Sequence, residues 1–333
     1  MKPKFLLPIL LFLALVSCKK NKPYQTFDGG VWTTEFHIVY CSETRLGDSI
    51  LSVFRQVENS LSPFAPTSLI SMINRGEGYR VDSLLRNVFL RSVEINRISG
   101  GAFDPTVAPL VNLWGFGYKK TAPTGAPTDL QIDSARSLVG IGRCYLRGDS
   151  IILPVKGMEF NFSAITKGYA CDLVADMFRR NGVTDFMVEI GGEVVCSGVN
   201  PYGQPWRIQI DSPKQSGAGS HDAAGVIELR DCAVATSGNY RRFVEQKDGS
   251  RTWHTINPAT GRPAETTVLS ATVIAPDCMT ADALATTAMV LPADSMIRLI
   301  DRLPSTSVML ITAAPDGSLQ TQTSPFFPPV MQK

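Results

Sequence analysis

Histidine is scarce in this chain: there are three among 333 residues. The seven cysteines include no C-x-x-C pair and none clusters with histidine, so a thiolate-bound zinc centre is excluded as the organising chemistry. A surplus of one charge is also missing. The 32 Lys and Arg residues nearly match the 30 Asp and Glu residues, which argues against a nucleic-acid surface. There is no internal repeat, no low-complexity stretch and no glycine loop with Walker spacing. What remains, 44% hydrophobic and 19% charged residues, is the composition of a globular protein and not a disordered one.

The one sustained apolar run lies at the N-terminus. Lys2 and Lys4 precede Phe5 to Val16, which is short for a membrane span and has the form of an export signal. It ends in Leu15-Val16-Ser17-Cys18, which resembles a bacterial lipobox. The expectation is a signal peptide over residues 1–17, lipidation at Cys18, a tether over 18–24 and one domain over 25–333. The protein would then be anchored by lipid in a bacterial cell envelope, facing the periplasm or exterior. Removing the signal takes away two lysines and no acid, which leaves the mature chain balanced. The remaining cysteines, such as Cys196 in Glu193-Val-Val-Cys-Ser197, read as small buried hydrophobes.

Hydrophobic periodicity gives a mixed order of elements. Trp32 to Tyr40 reads as a strand. Leu46 to Leu61 reads as a helix on the spacing of Ile50, Val53, Phe54, Val57 and Leu61. Ser83 to Ile98 is a second helix, capped by Asp82 or Ser83 and stopped at Gly100-Gly101. Residues 121–128 read as a loop, and Ile165 to Arg180 as a third helix closed by Asn181-Gly182. Strands are expected at Phe186 to Ile190, Val194 to Ser197, Trp206 to Ile210, Val226 to Leu229 and Ala271 to Ala275. Helices mixed with hairpin-like strand pairs define an α+β class.

Candidate chemistry lies in short segments. A helical pattern opens near Thr280, and Asp282 and Thr286, four positions apart, share one of its faces. A carboxylate and a hydroxyl so placed are hard oxygen ligands of the kind Mg²⁺ takes. Asn161 to Gly168 leads a strand into the third helix, with Ser163 as its expected N-cap and Lys167 as a positive charge at an anion-favouring helix start. Gly191-Gly192, between Glu189 and Glu193, permits a tight turn or close approach to a ligand. Thr236 and Ser237 could set two hydroxyls against a phosphate or a ring edge. His254 precedes the turn chemistry of Asn257-Pro258 and Thr260-Gly261, whereas His37 and His221 read as background. Asp104-Pro105-Thr106 forms a fixed turn, followed by Trp114 and Phe116.

Seven segments in order carry a resemblance: SPFAPTSLISMIN, GGAFDPTVAPLVNLWGF, SAITKGYACD, EIGGE, AVATSGNY, HTINPATG and TADALATTAMVL. Together they resemble the ApbE family of FAD:protein FMN transferases across nearly the whole mature chain. The resemblance implies a mixed-sheet α+β body with FAD in a cleft between two lobes. It implies Asp282 and Thr286 as side-chain ligands of Mg²⁺, with the carbonyl of Ala164 as a third. It places Phe64, Asp104, Ala164, Lys167, Gly191, Gly192, Glu193, Thr236, Ser237 and His254 at the FAD site, and gives catalytic roles to Asp282, His254 and Lys167. Phe64 stands where the family stacks a tyrosine, Asn161 and Asn257 stand where Asp is usual, Ser163 where Gly is usual, and Thr166 where Ala is common.

The implied reaction is Mg²⁺-dependent transfer of FMN from FAD to a Thr or Ser hydroxyl of an acceptor redox protein, with release of AMP. The acceptor motif implied is Asp-x-(Ser/Thr)-Gly-Ala-(Ser/Thr)-like. Two other readings stay open: an FAD pyrophosphatase yielding FMN and AMP, and a lipid-anchored flavin carrier that binds FAD without cleaving it. Either Asp282 or His254 is a candidate for the group that takes the hydroxyl proton.

Overall fold

Alternation along the strands sets the architecture, because successive side chains of a strand point to opposite faces. The computed structural model describes residues 23–119, 125–213, 223–238, 243–245 and 251–331. The helices there are α1 (Gly47–Leu61), α2 (Leu69–Asn74), α3 (Ser83–Ile98), α4 (Ala108–Leu113), α5 (Asp129–Arg136), α6 (Ser163–Arg180), α7 (Cys278–Ala288) and α8 (Ala293–Ile300). The strands are β1 (Tyr24–Val31), β2 (Thr34–Cys41), β3 (Tyr145–Arg147), β4 (Ser150–Ile152), β5 (Phe186–Ile190), β6 (Glu193–Ser197), β7 (Trp206–Asp211) and β8 (Ala223–Leu229). They continue with β9 (Cys232–Gly238), β10 (Phe243–Glu245), β11 (Arg251–Trp253), β12 (Val268–Ala275), β13 (Ser307–Ala313) and β14 (Leu319–Thr323).

Eight strands form one sheet in the order β1-β2-β5-β6-β9-β12-β13-β14, with antiparallel pairing throughout. On one face Ile38, Val188, Ala235, Val273 and Leu310 pack in the same core as Phe54 of α1, Leu85 of α3, Phe178 of α6 and Leu284 of α7. On the other face Val194, Val234, Ile274 and Met309 meet Trp206, Ile210, Ile227 and Leu229 of the β7–β8 ribbon. Each fully buried Ile or Leu in these layers contributes about 1.5–3 kcal/mol relative to exposure. The α+β class expected from the sequence is the class observed.

The N-terminal hairpin departs from expectation. Tyr24, placed at the end of the tether, already pairs with Cys41. Trp32, expected to begin a strand, instead occupies the turn between β1 and β2 with φ 56. The residues proposed for the signal and for lipidation, Cys18 included, lie outside the described residues, as do 121–124 of the expected loop and His221. Among the described residues no helix is long and apolar enough to cross a membrane. The six cysteines there are free thiols, with Cys196 directly across from Cys232 on adjacent strands.

Candidate active site

Helix α7 explains why its sequence is alanine-rich. Every one of its residues is buried except Thr286, so small side chains are needed on all sides. Its start lies two residues before the expected Thr280, with Asp277 as N-cap accepting a hydrogen bond from the Thr280 N–H at 2.8 Å. Asp282, 3% exposed, and Thr286 do share a face. Thr286 opens that face toward solvent, and its hydroxyl lies 3.4 Å from that of Ser237 on β9.

Helix α6 comes closest to α7 at Gly168, which has no side chain. A Cβ on Gly168 would lie 2.2 Å from the carbonyl oxygen of Cys278 and 2.8 Å from the Cβ of Asp282. This approach lets the Gly168 N–H donate to Oδ2 of Asp282 at 3.0 Å. Within an α-helix the same N–H is directed at the carbonyl four residues back, that of Ala164. The Asp282 carboxylate thus reaches the same N–H that the helical ladder of α6 directs at the Ala164 carbonyl.

Opposite them, Lys167 forms an ion pair with Glu193, which is 3% exposed. Burial alone would lower the Lys167 pKa, but the negative charges of Glu193 and Asp282 raise it. Glu193 is pushed up to about 8, first by burial and then by Asp282, against the pull of Lys167. Burial also raises Asp282, opposed by Lys167 and by the Gly168 N–H. One cation faces two buried acids, so the set carries an uncompensated negative charge when all three are ionised. Of the oxygens expected to bind Mg²⁺ this set contains the Asp282 carboxylate, and Thr286 follows one turn later on the same face of α7. Among the described residues no three His, Cys, Asp or Glu side chains form a metal cage. A site of one carboxylate, one hydroxyl and one carbonyl would not form such a group.

Other sequence-based expectations meet different outcomes. The Gly191-Gly192 turn joins β5 to β6 with φ 62 and 99, and Gly192 donates its N–H to Glu189 at 2.7 Å. A Cβ on Gly191 would sit 2.6 Å from the Thr34 hydroxyl, so the glycine is sterically required. Ser163 is not the N-cap of α6. Phe162 holds that position, and the Asn161 side chain accepts the Ser163 N–H at 3.0 Å. Asn257 likewise accepts the N–H of Ala259 at 2.9 Å, so both Asn residues still fill an acceptor role that Asp could fill. The Thr166 hydroxyl bonds back to the Phe162 carbonyl at 2.7 Å.

Thr236 and Ser237 do not present their hydroxyls together. As neighbours on β9 they face opposite sides of the sheet. Ser237 turns toward α7, while the Thr236 hydroxyl lies 2.9 Å from that of Thr272 on β12. Asp104 is a turn-former: its carboxylate accepts from the Thr106 N–H, the Thr106 hydroxyl, the Ile141 N–H and Asn96. Phe64 is 65% exposed and stands edge-on to Tyr118, with centroids 6.4 Å apart. His254 stands edge-on to Phe116, and Trp114 donates to the Gly261 carbonyl at 2.9 Å, which joins the two segments that carry them.

Two positions in α6 escaped sequence reasoning. Gly168 reads as an ordinary mid-helix residue until its neighbour is known. Asp172, one turn later, accepts the N–H groups of Cys278 and Met279 at 2.9 and 2.8 Å, and burial raises its pKa to about 7. Their i, i+4 spacing on one face was the available signal.

Fold and site together define an antiparallel-sheet α+β protein with an oxygen-rich site held between two packed helices. The chain belongs to the ApbE family, whose profile it matches over residues 32–310. It is 33% identical over 335 residues to the FAD:protein FMN transferase of Vibrio cholerae, covering 97% of this chain and 98% of that protein. It is 30% identical over 336 residues to the protein of that name from Haemophilus influenzae, covering 96% of each. The solved structure of the flavin transferase ApbE from Vibrio cholerae superposes with a TM-score of 0.81 at 32% identity, covering 91% of this chain and 97% of that one. The apo flavinyl transferase ApbE of Pseudomonas stutzeri gives 0.81 at 29% identity, with 92% and 96% covered.

Proposed function

We propose that this protein transfers FMN from FAD to a Thr or Ser hydroxyl of an acceptor redox protein, releases AMP, and requires Mg²⁺. The observation that carries this reading is that Asp282, buried and held by the Gly168 N–H, shares its face of α7 with Thr286, the one partly exposed residue of that helix. Asp282, Thr286 and the Ala164 carbonyl would hold the ion, and the family membership supports that choice. Bound there, Mg²⁺ supplies charge neutralisation to the phosphates.

The remaining chemistry falls to side chains. Lys167 adds fixed positive potential where phosphate charge builds. The exposed face of Phe64 offers a stacking surface for the flavin ring. Lys167 is held protonated by Glu193, and a carboxylate committed to the ion would be a poor base, so His254 is assigned as the proton acceptor. The acceptor oxygen bonds to the FMN-side phosphorus and the pyrophosphate P–O bond breaks. AMP leaves with the bridging oxygen, and the hydroxyl proton passes to His254.

The test supplies FAD, Mg²⁺ and an acceptor bearing the Asp-x-(Ser/Thr)-Gly-Ala-(Ser/Thr) motif. Equimolar AMP and flavin-modified acceptor is expected, with the adduct lost when the terminal Thr of the motif is replaced by Ala. AMP accompanied only by free FMN would make the protein a pyrophosphatase. Bound FAD with no AMP would make it a carrier.

The lipobox ending at Cys18 extends the proposal to location: a lipid anchor in the bacterial envelope. A cysteine carrying several acyl chains anchors stably where a single chain does not. Cys18→Ala should move the protein out of the membrane fraction in its mature form. A wild-type protein that is already wholly soluble would refute the anchor.

A further inference from the structure

We infer that Asp172 is a positioning residue that sets where α7 presents Asp282 and Thr286. The inference rests on the reading above that these two residues hold a divalent cation. A helix leaves its first four N–H groups without intrahelical partners. In α7 all four are accounted for. Ala281 and Thr280 bond to the carbonyl and the side chain of Asp277, the helix's own cap. Cys278 and Met279 bond instead to the two carboxylate oxygens of Asp172, which belongs to α6.

An intrinsic cap fixes the end of a helix but not its place against a neighbour. Asp172 does the second task. The contacts between the two helices include Gly168 against Asp282 and the Cys278 carbonyl, and Asp172 against the α7 N-terminus. Gly168 and Asp172 are one turn apart on α6, and both meet Cys278 of α7, Gly168 at its carbonyl and Asp172 at its N–H. Apolar packing holds α7 in the core, whereas the two charge-assisted hydrogen bonds from Asp172 set the rotation and height of its N-terminus against α6. With α7 so placed, the Asp282 carboxylate stays at the Gly168 N–H, and Thr286 stays beside Ser237. Asp172 therefore acts on the cation through the helix that carries its ligands. Groups hydrogen-bonded directly to metal ligands typically change affinity by about 10- to 100-fold when removed, and the low end of that range is expected for Asp172, which acts through the helix.

The experiment measures Mn²⁺ binding to the full chain by electron paramagnetic resonance, with FAD present, in wild type, Asp172→Asn, Asp172→Ala and Asp282→Asn. FAD binding without metal is followed separately by flavin fluorescence, and melting temperature reports the fold. Asp172→Ala should weaken Mn²⁺ binding at least about 10-fold while changing FAD affinity less than about 3-fold. Asp172→Asn, which keeps one acceptor oxygen for one of the two N–H groups, should fall between Asp172→Ala and wild type. If Asp172→Ala does not fold, the same split between Mn²⁺ and FAD is required of Asp172→Asn. Unchanged Mn²⁺ affinity in a folded Asp172 variant, beside a loss in Asp282→Asn, overturns this inference alone. So does a parallel fall in Mn²⁺ and FAD binding, which marks a merely structural role. Full Mn²⁺ binding by Asp282→Asn overturns the metal reading and this inference with it.

Discussion

Lys167→Met should lower stability by about 3 kcal/mol at about pH 9, and by clearly less at about pH 5. The variant leaves Glu193 and Asp282 buried with no cation between them. Removing one partner of a buried pair costs about 3–5 kcal/mol; the low end is expected here because the Lys167 side chain is 33% exposed. The sign with pH follows from Glu193. Its folded pKa, already raised to about 8 against 4.5 when unfolded, rises further once Lys167 is gone. A raised folded pKa means that the native state holds the proton more tightly. The associated stability is fully present below the unfolded pKa and is lost as pH rises through the folded one. Denaturant melts across that range measure the trend, and adding Glu193→Gln to Lys167→Met should recover most of the loss. A single variant as stable as wild type at the alkaline end would remove the buried charge set from the account.

Asp282→Asn should behave in the opposite way. Its carbonyl oxygen can still accept the Gly168 N–H, and losing one of two crowded acids relieves repulsion. Stability without metal should therefore stay within about 1 kcal/mol of wild type. Mg²⁺-dependent AMP release should nonetheless fall at least about 100-fold, the scale of losing one stabiliser of transition-state charge. Activity unchanged at limiting Mg²⁺ would show that Asp282 is a structural acid. The two variants thus test two proposed roles within one cluster: charge balance for the fold at Lys167, and ion holding at Asp282.

Much of this was legible in the sequence because it depends on local period and punctuation. The helix Ser83–Ile98, with Asp82 as cap, and the strand Phe186–Ile190 emerge where the periodicity places them. The site was harder, since contacts across elements leave no local mark. The Thr236 and Ser237 hydroxyls were read as a pair because they are adjacent, yet strand alternation sends them to opposite faces. Ser163 matched a cap residue type, but the chain turns helical one residue too early for it to act as one. The fixed turn at Asp104-Pro105-Thr106 was legible, but the bonds of its carboxylate to Ile141 and Asn96 were not. Asp172 carried no sequence signal stronger than its spacing from Gly168, because its partners lie more than a hundred residues away.

The missing side chain at Gly168 bears on portability. A stretch of α7 copied into another protein would bring Asp282 and Thr286 at the correct spacing, yet not their setting. It would lack the carbonyl of Ala164, the N–H that orients the carboxylate, and a partner helix bare enough to come within reach. The ion-holding property proposed here belongs to a seam between two distant parts of the chain. Transplanting it would require both sides of that seam, with glycine kept at the crossing.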